Sequence, residues 1–328
     1  MRRRRFRRLA ALGVVTVLGS PTLLGAQAKE GALFLLVPVG AQSVGMGQAS
    51  VASRLGADGV WANPAAIGWA HRREVAVDHA ANAFITGDAI DGQLPLGRAG
   101  VIGASALLFN FGDQLATDEF GNPTGTLYSR ALVVGTTYAA TFGSRVSAGV
   151  SYRFVQHSQS CSGACPNQTT LSVSTSAFDF GIHAIVDSAG RLTLGAAIRN
   201  AGFGLQTIDN EQTDPLPTRL HVGAEYRFDR VAAALPGATL RASAEVVTRT
   251  AVTGVSFRGG AELGFADRVY LRGGALHDGE DVTAPTTASV GFGYRQGTLA
   301  IDIARSLGGV SSDVGQAPTY VTVRFGFR

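Results

Sequence analysis

The only two cysteines of the chain, Cys161 and Cys165, lie four residues apart in a Cys-Ser-Gly-Ala-Cys segment. A zinc site would need two further ligands, and His157 is the only histidine close to this segment. In an oxidising compartment two cysteines at this spacing form a small-loop disulfide by default. We therefore predict a disulfide here, with no metal and no cofactor.

Sequence patterns for enzymatic chemistry are sparse. The chain contains no His-Glu-x-x-His pair for a metal, no Gly-x-Ser-x-Gly around a serine nucleophile and no Gly-x-x-x-x-Gly-Lys loop for a phosphate. His157 beside Ser158 is the nearest approach to a hydrolase pair. Residues 118–122, Asp-Glu-Phe-Gly-Asn, lack the acidic spacing of a calcium loop and are interpreted as a solvated turn. We predict no catalytic residues and no enzyme.

Charged residues instead recur at every second position of several segments. In 220–228 the apolar residues alternate with arginine, histidine, glycine and glutamate, and 255–265 repeats this pattern. Alternation of period two places one apolar and one polar face on a strand. The charges that we predict to face an interior are Arg219, Glu225, Arg227, Arg258, Glu262 and Arg272. They could pair with one another and stiffen the wall, or select a ligand.

The alternating segments predict a membrane barrel rather than a soluble sandwich. They span about 10–12 residues, the length that crosses a bilayer at a tilt. There are about 14 of them, and tight turns such as 142–143 and 296–297 alternate with longer polar loops such as 110–127 and 158–174. We predict an all-β fold, a transmembrane antiparallel β-barrel of about 14 strands over residues 71–328.

Residues 1–28 have the order of a cleavable signal peptide: an arginine-rich start, an apolar run and a small-x-small end. This segment holds six of the 28 basic residues and none of the 24 acidic ones, so the remaining chain has a formal charge of −2. That balance argues against nucleic-acid binding. The signal peptide, a mean hydropathy of +0.16 and the alternating strands together predict a barrel in the outer-membrane lipid.

Residues 29–70 lack the alternation of a wall strand, and we predict that they form a plug of short helices. Asn63 followed by Pro64 is typical of a helix N-cap with proline at the first helical position. About 14 strands enclose a lumen too wide for wall side chains to fill. We assign Trp61, Asn63, Pro64 and Ala65 as the candidate plug or gate, whose function is either to gate a channel or to cap the helix.

Three parts of the chain carry a family resemblance. Residues 34–49 (Phe-Leu-Leu-Val-Pro-Val-Gly-Ala to Val-Gly-Met-Gly-Gln-Ala), 61–65 (Trp-Ala-Asn-Pro-Ala) and the proline-led strand at 216–223 resemble the PorV/PorQ family. Weaker likeness lies in the glycine-rich strands at 257–262 and 271–274. That family belongs to the FadL-like (OmpP1/FadL/TodX) group of 14-stranded outer-membrane barrels. In one departure from the group, the final aromatic residue Phe327 is followed by Arg328, although the barrel-assembly machinery reads a terminal aromatic residue.

The resemblance implies two different functions. PorV-like proteins serve type IX secretion, and their partners are secreted cargo and secretion-system components. FadL-like proteins pass hydrophobic small molecules, such as long-chain fatty acids, through the outer membrane. We take the secretion-associated carrier as the first hypothesis and the passive channel as the second. A continuous apolar path or a lateral wall opening would favour the channel, and a polar, plugged lumen would favour the carrier.

Overall fold

The computed structural model describes residues 30–81, 85–165, 170–206, 213–228, 231, 235–249, 254–279, 286–308 and 317–327. The predicted signal peptide and the terminal Arg328 lie outside these residues. Fourteen antiparallel strands close into a barrel, and two further short strands, β8 and β9, pair in a loop. The predicted fold class is confirmed. The strands are β1 (Arg73–Ala81), β2 (Thr86–Pro95), β3 (Val101–Thr117), β4 (Pro123–Phe142), β5 (Val146–Gly163), β6 (Leu171–Ile185), β7 (Leu192–Gly202), β8 (Leu205–Gln206), β9 (Thr213–Asp214), β10 (Arg219–Phe228), β11 (Ala238–Arg249), β12 (Ser256–Phe265), β13 (Val269–His277), β14 (Thr287–Gln296), β15 (Leu299–Leu307) and β16 (Thr319–Phe327).

The barrel closes where β1 pairs with β16, with Arg73 opposite Phe327. We call the end of the barrel where β1 begins and β16 ends the turn end. The tight turns predicted at 142–143 and 296–297 lie there, as do those at 97–98, 188–190 and 266–267. The opposite end, which carries the β8–β9 hairpin, is the loop end; β10 ends and β11 begins at the turn end, so their connection lies there too.

Alternation along the strands separates two barrel faces. In β1, for example, Glu74, Ala76 and Asp78 are buried inside, whereas Val77 is exposed outside. Large apolar side chains such as Ile102 and Phe180 are exposed around the outer wall. An apolar band outside and charges inside are the surface pattern of a barrel that faces lipid. Within the described residues, none of the helices has the length and apolarity needed to cross a membrane.

Two predicted loops are wrong. Most of 110–127 belongs to the extended ends of β3 and β4, and most of 158–174 belongs to β5 and β6. These strand ends rise beyond the apolar band, so both of their faces can contact water. Polarity then stops alternating although the backbone ladder continues, which is why the sequence pattern resembles that of a loop there.

Short helices occupy the region before the barrel. They are 3₁₀ helices at Leu33–Leu36, Ala57–Trp61 and Pro64–Trp69 and one α-helix, α1, at Ala41–Gly45. The helix that Asn63 and Pro64 predict is present as the 3₁₀ helix Pro64–Trp69. A further 3₁₀ turn, Gly97–Ala99, joins β2 to β3.

Cys161 and Cys165 form a disulfide at the loop end of β5. The bond closes a loop of only four residues, so it restricts the unfolded chain little. We expect Cys161→Ser to lower the unfolding free energy by at most about 2–3 kcal/mol. Urea unfolding in lipid vesicles with and without reductant measures this, and a larger loss in the wild type on reduction would contradict it.

Candidate functional site

Residues 30–70, which we call the N-terminal segment, run through the lumen from one end to the other. At the loop end, both carboxylate oxygens of Glu30 accept hydrogen bonds of 2.9 Å from Arg219 of β10. At the turn end, the backbone N–H of Ala57 donates to Glu74 of β1 at 2.9 Å. The segment therefore begins near the loop end and joins the wall near the turn end.

Asn63 is fully buried and binds the segment both to itself and to the wall. Its Oδ1 accepts from the backbone N–H of Ala65 at 3.0 Å, which is the predicted helix cap. Its Nδ2 donates to the carbonyl oxygen of Val51 at 2.8 Å and lies 3.3 Å from those of Ile182 in β6 and Ala196 in β7. The Asn63 side chain thus hydrogen-bonds to backbone groups of the segment, of β6 and of β7.

The other predicted plug residues lie in the same contact region. Trp61 is buried, donates through Nε1 to Asp91 of β2 at 2.8 Å, and lies under the guanidinium of Arg153. Pro64 occupies the first helical position. The carbonyl of Ala65 accepts from Ser147 of β5 at 2.9 Å. The structure therefore brings all four residues together against the wall, and their role as a gate stays a prediction.

A ring of inward-facing glycines lets the backbone of the segment lie directly on the wall. At each of these positions an added Cβ would overlap with the segment, for example with Met46 at Gly260 and with Gly47 at Gly274. The glycine ring consists of Gly149, Gly181, Gly195, Gly223, Gly260 and Gly274. The glycine-rich strands of the sequence thus have a packing reason: the inward glycines make room for the segment.

The neighbouring glycines Gly273 and Gly274 provide a matched pair of variants. A Cβ on Gly274 would overlap with the backbone of Gly47, whereas one on outward-facing Gly273 would meet nothing within 4 Å. We expect Gly274→Ala to destabilise the protein by about 1–3 kcal/mol, because backbone must move. Gly273→Ala should change stability by less than about 0.5 kcal/mol. Unfolding midpoints in vesicles measure both, and equal midpoints would argue against this packing.

The lumen wall on β3–β5 is apolar over part of its height, although β5 also carries the buried Arg153. Phe109 of β3, Val133 of β4 and Val155 of β5 are buried and belong to one hydrophobic cluster with Phe34 and Val60 of the segment. The rings of Phe34 and Phe109 lie 6.1 Å apart. An apolar sector therefore joins the segment to β2–β5.

The opposite side of the lumen is ionic. Arg324 of β16 donates to both carboxylate oxygens of Asp58, at 2.8 and 2.6 Å, and also to Asp302 of β15. Arg272 of β13 bridges Asp302 and Glu262, with 2.6 Å from its Nε to Glu262. The buried Asp58 is the contribution of the segment to this chain of charges.

The ionic network continues through β12 to β10. Arg241 binds both oxygens of Glu262, at 2.8 and 2.9 Å, and its Nη1 lies 3.4 Å from Glu225. Ser53 of the segment also donates to Glu225, at 2.5 Å. The predicted lumen charges Glu225, Glu262 and Arg272 thus belong to one network that holds the segment at two points.

The other predicted lumen charges lie apart from this network. Arg219 binds Glu30 at the loop end. Arg258 lies 3.5 Å from the carboxylate of Glu245, which accepts hydrogen bonds from the segment. Arg227 is exposed at the turn end of β10, because the strand emerges from the lumen there.

Sequence reasoning missed Asp58 and Arg54. A signal was present, since Asp58 is the only acidic and Arg54 the only basic residue of positions 31–70. A lone charge in an apolar segment that enters a protein needs a partner. Burial lowers the pKa of the Arg54 guanidinium, although nearby Glu225 raises it.

The described residues offer little for metal or hydrolytic chemistry. No group of three or more potential metal ligands occurs among them. His157 lies 3.0 Å from Ser129 on β4, not in a pair with adjacent Ser158. In the 118–122 turn, Asp118 accepts from the backbone and side chain of Asn122, and these hydrogen bonds lower its pKa. That carboxylate is occupied in shaping its turn.

Several cavities lie along the lumen, and three of them have distinct linings. One of about 440 Å³ opens at the loop end and is lined by Phe34, Phe111, Gln114 and His157 among others. A second, of about 160 Å³, lies beside Arg199 and Arg258. The third, also of about 440 Å³, lies at the turn end among arginines. In the described residues every barrel strand pairs with both neighbours, with register shifts only in β3–β4 and β6–β7.

Solved structures share this architecture. The Ralstonia pickettii toluene transporter TbuX aligns with a TM-score of 0.61 at 16% identity, over 88% of this chain and 98% of that one. The monoaromatic hydrocarbon channel CymD aligns with a TM-score of 0.62 at 14% identity, over 89% and 98%. A Pseudomonas aeruginosa FadL homologue aligns with a TM-score of 0.58 at 13% identity, over 89% and 99%. The chain has a FadL-like fold.

The FadL-like fold confirms the broader half of the predicted resemblance. The chain matches no protein-family profile and no curated protein. The narrower likeness to PorV/PorQ thus has no support beyond the residues that suggested it. The match extends over almost the whole length of each of these three structures.

Proposed function

We propose that this protein is an outer-membrane channel through which hydrophobic small molecules enter. The observation that carries the proposal is the cavity at the loop end, where the rings of Phe34, Phe111 and His157 lie about 6 Å from one another. Aromatic side chains supply a large apolar contact area with few polar demands. The loop end would face the cell exterior, as longer connections do in outer-membrane barrels.

The apolar sector continues inward from this cavity. Phe34 belongs both to the cavity lining and to the buried cluster with Phe109 and Val155. A hydrophobic molecule leaving the cavity would therefore meet apolar side chains on one side of the lumen. The N-terminal segment fills this route at rest, so passage requires movement of the segment.

The filled, partly ionic lumen and the paired wall are features that we expected of a carrier, but the matching structures and the aromatic cavity favour the channel. Two of the matching structures are described as a toluene transporter and a monoaromatic hydrocarbon channel, and both share the fold over nearly their whole length. The aromatic cavity is a feature that a small apolar molecule would use. The type IX reading rests on short sequence likeness alone, and no contact among the described residues favours it.

The proposal is tested by uptake in cells that lack other hydrocarbon channels. Phe111→Ser should lower the toluene uptake rate several-fold, because it removes one wall of the cavity. Phe120→Ser is the matched control, since Phe120 lies on the neighbouring connection and is 88% exposed. Equal uptake by wild type, both variants and cells without the protein would refute the proposal.

The cavity beside Arg199 and Arg258 offers a test of whether the substrate carries a carboxylate. Arg199 lines it, and its Nε is buried without a hydrogen-bond partner among the described residues. Leu36 and Val247 lie on the same lining, so the cavity combines apolar walls with a cation. We infer that it receives the carboxylate of an amphiphile. Arg199→Gln should then slow laurate uptake and leave toluene uptake unchanged, whereas an equal effect on both would exclude carboxylate recognition.

A further inference from the structure

The cavity at the turn end is strongly basic. Its volume is about 440 Å³, and two carboxylates, Glu74 and Glu262, contribute to its lining. Six arginines line it: Arg54, Arg72, Arg241, Arg272, Arg295 and Arg324. It lies at the opposite end of the lumen from the aromatic cavity, and the uptake route proposed above does not explain its charge.

Four of these arginines form ion pairs, and the other two, Arg54 and Arg295, do not. Arg241, Arg272 and Arg324 belong to the ionic network, and Arg72 pairs with Glu74 at 3.1 Å. Within the part of the chain that the structure describes, neither Arg54 nor Arg295 contacts a carboxylate, although Glu225 lies close enough to Arg54 to raise its pKa against the lowering by burial. The Nε of Arg295 is buried and lacks any hydrogen-bond acceptor there. The cavity therefore carries a net positive charge, because its six arginines face five carboxylates: Glu74, Glu225, Glu262, Asp58 and Asp302.

The guanidinium groups of Arg54 and Arg295 each lie over an aromatic ring. Arg54 lies over the ring of Trp69 at 4.6 Å, and Arg295 lies over the ring of Tyr270 at 5.3 Å. Stacking occupies the face of a guanidinium and leaves its N–H edge available for hydrogen bonds. Two such edges in one cavity form a prepared site for an oxyanion, because the guanidinium fork matches phosphate and carboxylate oxygens.

We propose that this cavity binds a phosphate group between Arg54 and Arg295. A phosphate group has three acceptor oxygens, so it can accept hydrogen bonds from both guanidinium edges at once. The volume far exceeds the roughly 30 Å³ that a water molecule occupies, so a phosphomonoester with a small substituent also fits. Arg54 belongs to the N-terminal segment and Arg295 to β14, so the bound phosphate links the segment to the wall and holds the lumen closed.

The phosphate has two possible sources, a soluble phosphate compound or the headgroup of a lipid. Isothermal titration of the full-length protein in neutral detergent distinguishes them. One arm adds inorganic phosphate, with chloride at equal ionic strength as the reference. The other adds a short-chain phosphatidic acid, with phosphatidylcholine of the same chain length as the reference. Binding in either arm supports the phosphate chemistry and identifies its source, and binding in neither overturns the proposal.

Variants locate the site. Arg295→Gln removes a side chain outside the ionic network, and it should weaken phosphate binding about tenfold through loss of a charge-assisted contact. Arg54→Gln should do the same. Arg145→Gln, in the exposed turn between β4 and β5, is the matched control and should bind as the wild type does. Equal affinity in all four proteins would place the anion elsewhere and overturn the proposal, whatever the result of the uptake assay.

Discussion

Deleting residues 31–68 should leave a barrel that assembles and conducts ions far better than the intact protein. The wall has its own hydrogen-bonded ladder, because all 14 strand pairings lie between wall residues. The deleted residues contact the lumen wall and, through Gly31, the loop at Pro215, but they form no part of the barrel ladder. With them absent, water replaces the segment beside the wall charges, and a lumen of 14 strands is wide enough to carry hydrated ions.

Planar-bilayer recording measures this effect, with heat-dependent gel mobility to show that the deletion protein has folded. Gly274→Ala, which displaces the segment at one point, should give an intermediate or fluctuating conductance, and Gly273→Ala should conduct as the wild type does. A folded deletion protein with unchanged conductance would show that the segment does not block the lumen. The channel proposal would then lose the barrier that its substrate has to move.

The wall could be predicted from the sequence because lipid on one side and a polar lumen on the other impose alternation at every second residue. Segment 220–228 shows this, and it became β10 almost residue for residue. Beyond the apolar band both faces of a strand contact water, so the sequence no longer alternates and does not predict a strand. There β3 and β4 continue as paired strands in a stretch predicted as a loop.

The interior was predicted less well because its contacts join residues far apart in sequence. The cap at Asn63 is local, and the sequence shows it through the proline that follows. Asn63 also bonds to Ile182 and Ala196, which lie more than a hundred residues further along the chain, so no local sequence pattern predicts these bonds. In the sequence, inward-facing glycines such as Gly260 and Gly274 cannot be told apart from the outward-facing glycines next to them. Only the position of the N-terminal segment in the structure shows which glycines it packs against.

Replacing Arg324 with glutamine should cost about 3–5 kcal/mol of unfolding free energy, the range for breaking a buried ion pair from one side. Arg324 is 3% exposed and binds Asp58 and Asp302 together. Glutamine cannot supply a positive charge, so Asp58 would remain buried without a cation while Asp302 would keep only Arg272. Because Asp58 belongs to the N-terminal segment, the same change should loosen the segment from β16 and raise the ion conductance.

Two further variants separate loss of the charge pair from loss of packing. Asp58→Asn combined with Arg324→Gln removes both charges, and it should recover part of the stability lost by Arg324→Gln, because no unpaired carboxylate is left at position 58. Arg72→Gln is the control at the same turn end of the lumen. Arg72 is about half exposed, and its pair with Glu74 should contribute no more than about 1 kcal/mol. Urea unfolding in vesicles compares all three proteins. If Arg72→Gln and Arg324→Gln cost the same, the ionic network is not what holds the N-terminal segment, and the apolar sector around Phe34 and Val60 must hold it instead.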